Sequence, residues 1–247
     1  MPLCEEKITK ILKNTVSVRV YGSIDSTNSE ARRRAATDRG LCLYAASHQT
    51  AGRGRRGHTF YSPADTGLYM TLSLPLDGEL AGVQLVTCAA GVAVCEAIEE
   101  LAECKPQIKW VNDVLIDGKK VAGILAEVVC KDNEPSAVIV GIGVNLKTDS
   151  FPDEFADRAA SVGDIEPEAL CAAIADRLIE YYNDLSNNSL IEKYRERNIC
   201  IGKTVTFTKD GKKISAEAVG IDRLGGLTVE INGERITLNS GEISVEI

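Results

Sequence analysis

The chain has 247 residues, 44% of them hydrophobic and 26% charged, a balance that excludes a disordered, collagen-like or coiled-coil protein. Its length suits one large core with a small satellite domain. Against 28 Lys and Arg stand 36 Asp and Glu, a net charge of −8, which argues against bulk nucleic-acid binding.

No run of about 18 uncharged apolar residues occurs, so no membrane span is expected. The first residues carry three charges by Lys7 and no long apolar stretch, so no secretory signal is read there. Eight cysteines occur without a C-x-x-C pair, and His48 and His58 are the two histidines. Zinc sites use closely spaced ligand pairs, so these thiols read as reduced cytoplasmic hydrophobes. Cys88 and Cys95 are expected on one core face of a helix.

In chain order, residues 3–13 predict a short helix and 16–21 an alternating strand. Asp25 and Ser26 are N-cap types ahead of helix formers at 27–37. Residues 41–47 form a short apolar run, expected as a buried strand. The stretch 49–65 is polar, Gly-rich and Arg-rich without apolar periodicity, and loops of that length are usually functional or mobile. Residues 68–74 predict a strand. Val83, Val86, Ala90, Val94, Ala97 and Leu101 then recur at helical spacing.

Residues 108–116 read as strand, turn and strand, closed by Asp117-Gly118, a strong hairpin signal. Strands at 121–129 and 137–146 follow, the second with two glycines. Leu170, Ile174, Leu178, Tyr182 and Leu185 mark a second long helix. After Cys200 come short alternating segments at 205–208, 214–219, 227–231 and 236–238. They are separated by Asp210-Gly211, Gly225-Gly226 and Asn232-Gly233. Such tight hairpins predict a small β-barrel, with a domain of residues 1–197 ahead of one at 198–247.

Four features carry chemistry. Gly52-Arg53-Gly54-Arg55-Arg56-Gly57 matches G-x-G-x-x-G, but no helical pattern follows it, as a dinucleotide fingerprint requires. Read instead as a flexible loop, it brings arginine forks to phosphate or carboxylate; an exposed basic loop without a ligand is the plainer reading. Lys109-Trp110-Val111-Asn112-Asp113 and Lys120 flank a hairpin that could gather Lys109, Asp113 and Lys120 in one pocket, or simply leave the lysines solvated. Glycine within the apolar strand at Gly141-Ile142-Gly143-Val144-Asn145 marks close approach of a ligand or of another backbone. Ser26-Thr27-Asn28 opens a helix, where exposed amides can hold a polar ligand or serve only as a cap.

Taken together and in this order, the motifs resemble those of the biotin protein ligases. These are Asp25-Ser26-Thr27-Asn28, Gln49 with the Gly/Arg loop, Lys109-Trp110-x-Asn112-Asp113, Lys120-Val121-Ala122-Gly123-Ile124-Leu125 and Gly141-x-Gly143-Val144-Asn145. The resemblance covers residues 18–146 in motif detail, and the Gly/Arg loop followed by Ser62-Pro63 is its most specific part. It implies an α+β fold: a mixed β-sheet catalytic domain with flanking helices, like a class II synthetase, plus a small C-terminal SH3-like β-barrel. It also implies an activity. Biotin attacks the α-phosphate of ATP, magnesium accompanying the nucleotide, to give biotinyl-5′-adenylate. A lysine of a biotin carboxyl carrier domain then takes the biotinyl group.

By similarity, Arg55, Lys120 and Asp113 are the catalytic residues. The biotin-binding set is Ser26, Thr27, Asn28, Gln49, Gly52, Arg53, Gly54, Arg55, Lys120, Gly123, Gly141 and Gly143. The nucleotide-binding set is Arg53, Arg55, Lys109, Asn112, Lys120 and Asn145. Asp113 either orients the acceptor amine or positions metal. Three positions depart from the family pattern: Val111 replaces a usual Pro, while His58 and Phe60 replace Arg and Trp of some members. Some relatives add a DNA-binding helix-turn-helix domain; only 24 residues precede Asp25, so no repressor function and no nucleic-acid or membrane partner is expected. A monomer and a homodimer both fit. The competing readings are a lipoate or octanoate ligase on a related fold and a non-catalytic biotin or nucleotide sensor.

Overall fold

The computed structural model describes residues 3–38, 40–76, 82–132, 134–209 and 211–239. Seven strands form one sheet: β1 (Ser17–Tyr21), β2 (Cys42–Ala46), β3 (Gly67–Pro75), β4 (Gln107–Lys109), β5 (Asp113–Ile116), β6 (Lys119–Lys131) and β7 (Glu134–Asn145). Their order is β1-β2-β3-β7-β6-β5-β4. Only β1 and β2 run parallel; every other neighbouring pair is antiparallel, so the sheet is mixed.

Among the described residues six α-helices accompany it: α1 (Glu5–Ile11), α2 (Thr27–Arg34), α3 (Val83–Leu101), α4 (Asp153–Ala156), α5 (Pro167–Asn183) and α6 (Asn188–Arg197). The two faces of the sheet are read off strand alternation. Leu43, Ala45, Val138, Val140, Ile142 and Val144 join α3 and α5 in the main core. Their neighbours Cys42, Tyr44, Val129 and Ile139 instead form a small second core with Ala31 of α2. The short helix α2 packs on β2, β3 and β7 and covers only part of that second face. Further along the same face β7 presents Gly141, Gly143 and Asn145, and β6 presents Gly123, Leu125 and Glu127.

The amphipathic pattern at 83–101 is a helix over that span, whereas the helix expected at 27–37 ends at Arg34. The strands expected at 121–129 and 137–146 are longer, meeting in the β6–β7 hairpin. Asp117-Gly118 does close β5–β6, with φ of 50° and 76°, the left-handed pair of a type I′ turn. Cys88 and Cys95 are both fully buried on α3.

Four strands, β8 (Thr204–Lys209), β9 (Lys212–Ile221), β10 (Leu227–Ile231) and β11 (Glu234–Leu238), form a separate antiparallel meander. Asn232-Gly233 turns β10 into β11 with φ of 52° and 85°; Asp210 of the Asp210-Gly211 turn lies outside the described residues. Among the described residues this sheet is open rather than a closed barrel, consistent with a small SH3-like unit. It is fastened to the larger sheet at the 222–226 turn. There the Trp110 Nε1–H donates to Gly225 O at 2.9 Å, and Arg195 Nε of α6 donates to Ile221 O at 2.7 Å.

Candidate active site

A cleft of about 840 Å³ opens over the uncovered part of the second face, a size typical of small-molecule sites. Its floor is paved by glycine because larger residues cannot fit. A Cβ on Gly141 would collide with the Asn28 side chain, and one on Gly143 with the Phe60 ring. At Gly123 a Cβ would lie 3.1 Å from Phe60 and 3.2 Å from Lys120 Nζ. Phe60 is thus seated against two glycines of neighbouring strands.

At one end, α2 begins at Ser26, which caps without a side-chain hydrogen bond. The Asp25 carboxylate instead accepts from the Ser26 N–H at 2.8 Å. The paired Arg33 guanidinium holds the Asp25 carboxyl down to about 2. Gln49 Oε1 accepts from the Thr27 N–H at 2.9 Å, and Gln49 Nε2 donates to Ser62 Oγ at 3.0 Å. Thr71 Oγ1 of β3 lies 2.8 Å from Thr27 Oγ1 and 2.6 Å from Asn28 Oδ1. Ser26, Thr27 and Asn28 are all buried, so this corner is a fixed, largely enclosed set of polar groups.

The Gly/Arg loop folds over the cleft. Its strands pinch together through Gly54 N–H to His58 O at 2.7 Å and Phe60 N–H to Gly52 O at 3.0 Å. The tip turns at Arg56 and Gly57, both with positive φ (55° and 79°). Tyr69 anchors the far end by donating to Pro63 O at 2.8 Å, and its burial raises the phenol to about 12.

From the tip, Arg55 Nη1 donates to Asn112 Oδ1 at 2.9 Å, while Asn112 Nδ2 donates to Ile124 O at 3.2 Å. Burial lowers the Arg55 pKa, and the neighbouring Asp113 charge opposes that shift. Lys120 Nζ stands 2.7 Å from Asp113 Oδ1. Lys109, facing Asp113 in the β4–β5 register, lines the same cleft. The hairpin therefore gathers Lys109, Asp113 and Lys120 beside Arg55. The Trp110–Val111 peptide is cis.

Asn145 closes the opposite end by donating to Ala160 O at 3.2 Å. Residues 158–160 run beside Lys120, with Lys120 N–H to Arg158 O at 2.8 Å and Ala160 N–H to Lys120 O at 2.9 Å. Phe151, Glu154, Phe155 and Arg158 line the wall there. Sequence reasoning missed this wall, because α4 is a single turn without apolar periodicity. It also missed Glu127, whose carboxylate accepts from Arg53 Nη2 at 3.1 Å, Arg32 Nη2 at 2.8 Å and Asn28 Nδ2 at 3.1 Å. Arg53 thus stands at the rim, paired with Glu127. All the expected site residues line the cleft except Gly52, which packs against Phe60 O, Ser62 and Gln49. Among the described residues no group of three His, Cys, Asp or Glu side chains could hold a metal.

A mixed sheet bearing a large cleft, glycine-floored and ringed by Arg and Lys, is the architecture of a protein suited to anionic small molecules. The profile of the Biotin/lipoate A/B protein ligase family matches residues 20–145, and that of the Biotin protein ligase C terminal domain matches residues 200–245. The chain belongs to the biotin/lipoate protein ligase family.

It is 30% identical over 240 residues to the biotin--[acetyl-CoA-carboxylase] ligase of Mycobacterium tuberculosis, covering 91% of this chain and 87% of that protein. To the bifunctional ligase/repressor BirA of Bacillus subtilis it is 34% identical over 203 residues, 77% of this chain and 62% of the relative. The match to BirA of Bacillus spizizenii is 41% over 130 residues and spans 40% of that protein. Among solved structures, the biotin protein ligase from Aquifex aeolicus in complex with biotin and ATP superposes with a TM-score of 0.80 at 28% identity, covering 93% of this chain and 98% of that one. No described helix is long and apolar enough to cross a membrane.

Proposed function

We propose that the protein is an ATP-dependent ligase that joins biotin to one lysine of a biotin carboxyl carrier domain, through biotinyl-5′-adenylate. The observation that carries this reading is that Arg55, Lys120 and Asp113 share one cleft with the Thr27–Gln49–Ser62 polar corner. The relative from Aquifex aeolicus, described with biotin and ATP, supports the same substrates.

The chemistry asks for this residue set. A carboxylate and a triphosphate repel each other, and negative charge grows at phosphorus as they react. Fixed cations in a largely desolvated site offset both effects with little reorganisation. In this reading Ser26, Thr27 and Gln49 hydrogen-bond the biotin head, supported by Asn28, while Gly141 and Gly143 give the flat rings room. Lys120 and Arg55 meet the carboxylate and the α-phosphate. Asn112 holds Arg55, Lys109 lines the phosphate side, and Asn145 faces adenine.

Magnesium suits this site as an ion bound mainly by phosphate and water; Asp113 is a carboxylate of the cleft that could join its shell. Such an ion supplies charge neutralisation of the triphosphate when bound. In the transfer step Asp113 sits beside Lys120, where it can accept a proton from an incoming lysine amine. The cytoplasm is the compartment of this reaction, and residues 1–197 and 198–247 are its two folding units.

The test is direct. Incubation with biotin and Mg-ATP should release pyrophosphate and leave an adenylate on the protein, seen by native mass spectrometry. Adding a carrier domain should then raise its mass by one biotinyl group. No pyrophosphate with biotin, or equal turnover of lipoate, would overturn the assignment.

A further inference from the structure

The Glu127 carboxylate touches both the arginine-bearing part of the Gly/Arg loop and the first turn of α2. It takes a bidentate Arg53 pair at 3.1 and 3.3 Å, Arg32 at 2.8 Å and Asn28 at 3.1 Å. Alternation along β6 puts it on the cleft face with Gly123, under Phe60, and Leu125, whose carbonyl accepts from Asn28 at 3.3 Å. We propose that Glu127 is a positioning residue that latches the Gly/Arg loop shut through Arg53 while aligning Asn28 at the ligand-binding corner. The inference rests on the reading of this cleft as the biotin and ATP site.

Three physical points support the latch. First, Arg32 and Arg53 converge on one carboxylate, so without that charge two guanidinium groups would repel and push the loop outward. Second, the pair is only partly buried: the side chains of Arg53 and Glu127 are 40% and 19% exposed. Such pairs are weak and water-accessible, as a loop that must open for its ligands requires. Third, Asn28 shares the same carboxylate and also contacts Thr71, so loop closure and the geometry of the ligand corner are set by one group. Arg53 then acts by closing the loop, and Arg55 and Lys120 meet the anions.

The test uses the isosteric Glu127→Gln and, from the other side of the pair, the loop variant Arg53→Gln. In the ligand-free protein each should speed hydrogen exchange of residues 51–60 about fivefold, the scale of a partly exposed charge pair. The double variant should be no faster than either single one. Added salt should accelerate loop exchange in the parent and leave both variants unmoved, which a merely structural role would not produce. In turnover, Glu127→Gln should raise the biotin KM and the escape of adenylate about fivefold while kcat stays within about twofold. Unchanged loop exchange in Glu127→Gln, or additive effects in the double variant, would overturn the latch. Exchange needs no ligand, so it judges the latch even if the parent releases no pyrophosphate, an outcome that sinks only the biotin reading.

Discussion

Lys120 Nζ and Asp113 Oδ1 stand 2.7 Å apart across the β5–β6 hairpin, yet Asp113 Oδ1 is buried without a hydrogen bond. The contact is an ion pair. The irregular β5–β6 register between Val114 and Leu115 puts both side chains on one face of the hairpin.

Lys120→Ala should expose that arrangement. The polar corner around Thr27 and Gln49 survives the change, so biotin affinity measured by calorimetry should move little. An interaction made mainly in the transition state should be lost, lowering kcat for pyrophosphate release by about a hundred- to a thousand-fold, as for other fixed charge stabilisers. Transfer from adenylate supplied ready-made should fall less. A variant that forms adenylate at the parental rate would make Lys120 a solvated bystander.

The glycine floor makes a steric prediction. In Gly141→Ala the new methyl group meets the Asn28 side chain, which Thr71, Leu125 and Glu127 already hold in place. Overpacking of this kind costs about 1–3 kcal/mol. Urea unfolding should show that loss, and biotin binding should weaken as Asn28 is displaced. Parental stability together with parental binding would mean that Asn28 moves freely.

Trp110→Phe tests the seam between the sheets. A smaller phenyl ring replaces the indole, and Gly225 O loses the donor it has from Trp110 Nε1. A buried carbonyl left without a partner costs about 1–3 kcal/mol. Hydrogen exchange should accelerate in residues 222–226 before it does so in β6 or β7. Uniform acceleration across the chain would show that this contact does not join the units.

Acid should act through Asp25. Arg33 depresses its folded-state pKa to about 2 from an ordinary 3.8. A depressed carboxylate contributes stability above its unfolded value and loses it as pH falls through its folded value. The thermal midpoint difference between the parent and Asp25→Asn should therefore be constant above about pH 5 and shrink between about pH 4 and 2. A difference independent of pH would mean that the Arg33 pair contributes nothing.

Local pattern made much of this molecule readable. Residues 83–101 repeat apolar side chains at helical spacing, and the helix follows them to its ends. Asp117-Gly118 names its own turn. In contrast, α6 carries only Leu190, Ile191 and Tyr194 as buried residues in a charged segment, so its core-facing stripe is too thin to detect. The site divides in the same way. Arg55, Asp113 and Lys120 lie in short motifs and were legible there, as were the glycines of β7. Glu127 was not, because its partners are Asn28, Arg32 and Arg53, between 74 and 99 positions away. Only the folded sheet brings those groups together.

Trp110 is the one tryptophan of the chain, it is 4% exposed, and it lies two residues before Asn112. The protein therefore carries a built-in fluorophore at the junction of its two sheets, close in sequence to Asn112 of the cleft. Emission from an indole so enclosed is blue, and it reddens when water reaches the ring. Undocking of the 222–226 turn can thus be followed optically in unlabelled protein, and in stopped-flow mixing with nucleotide the same signal separates motion at the seam from chemistry in the cleft.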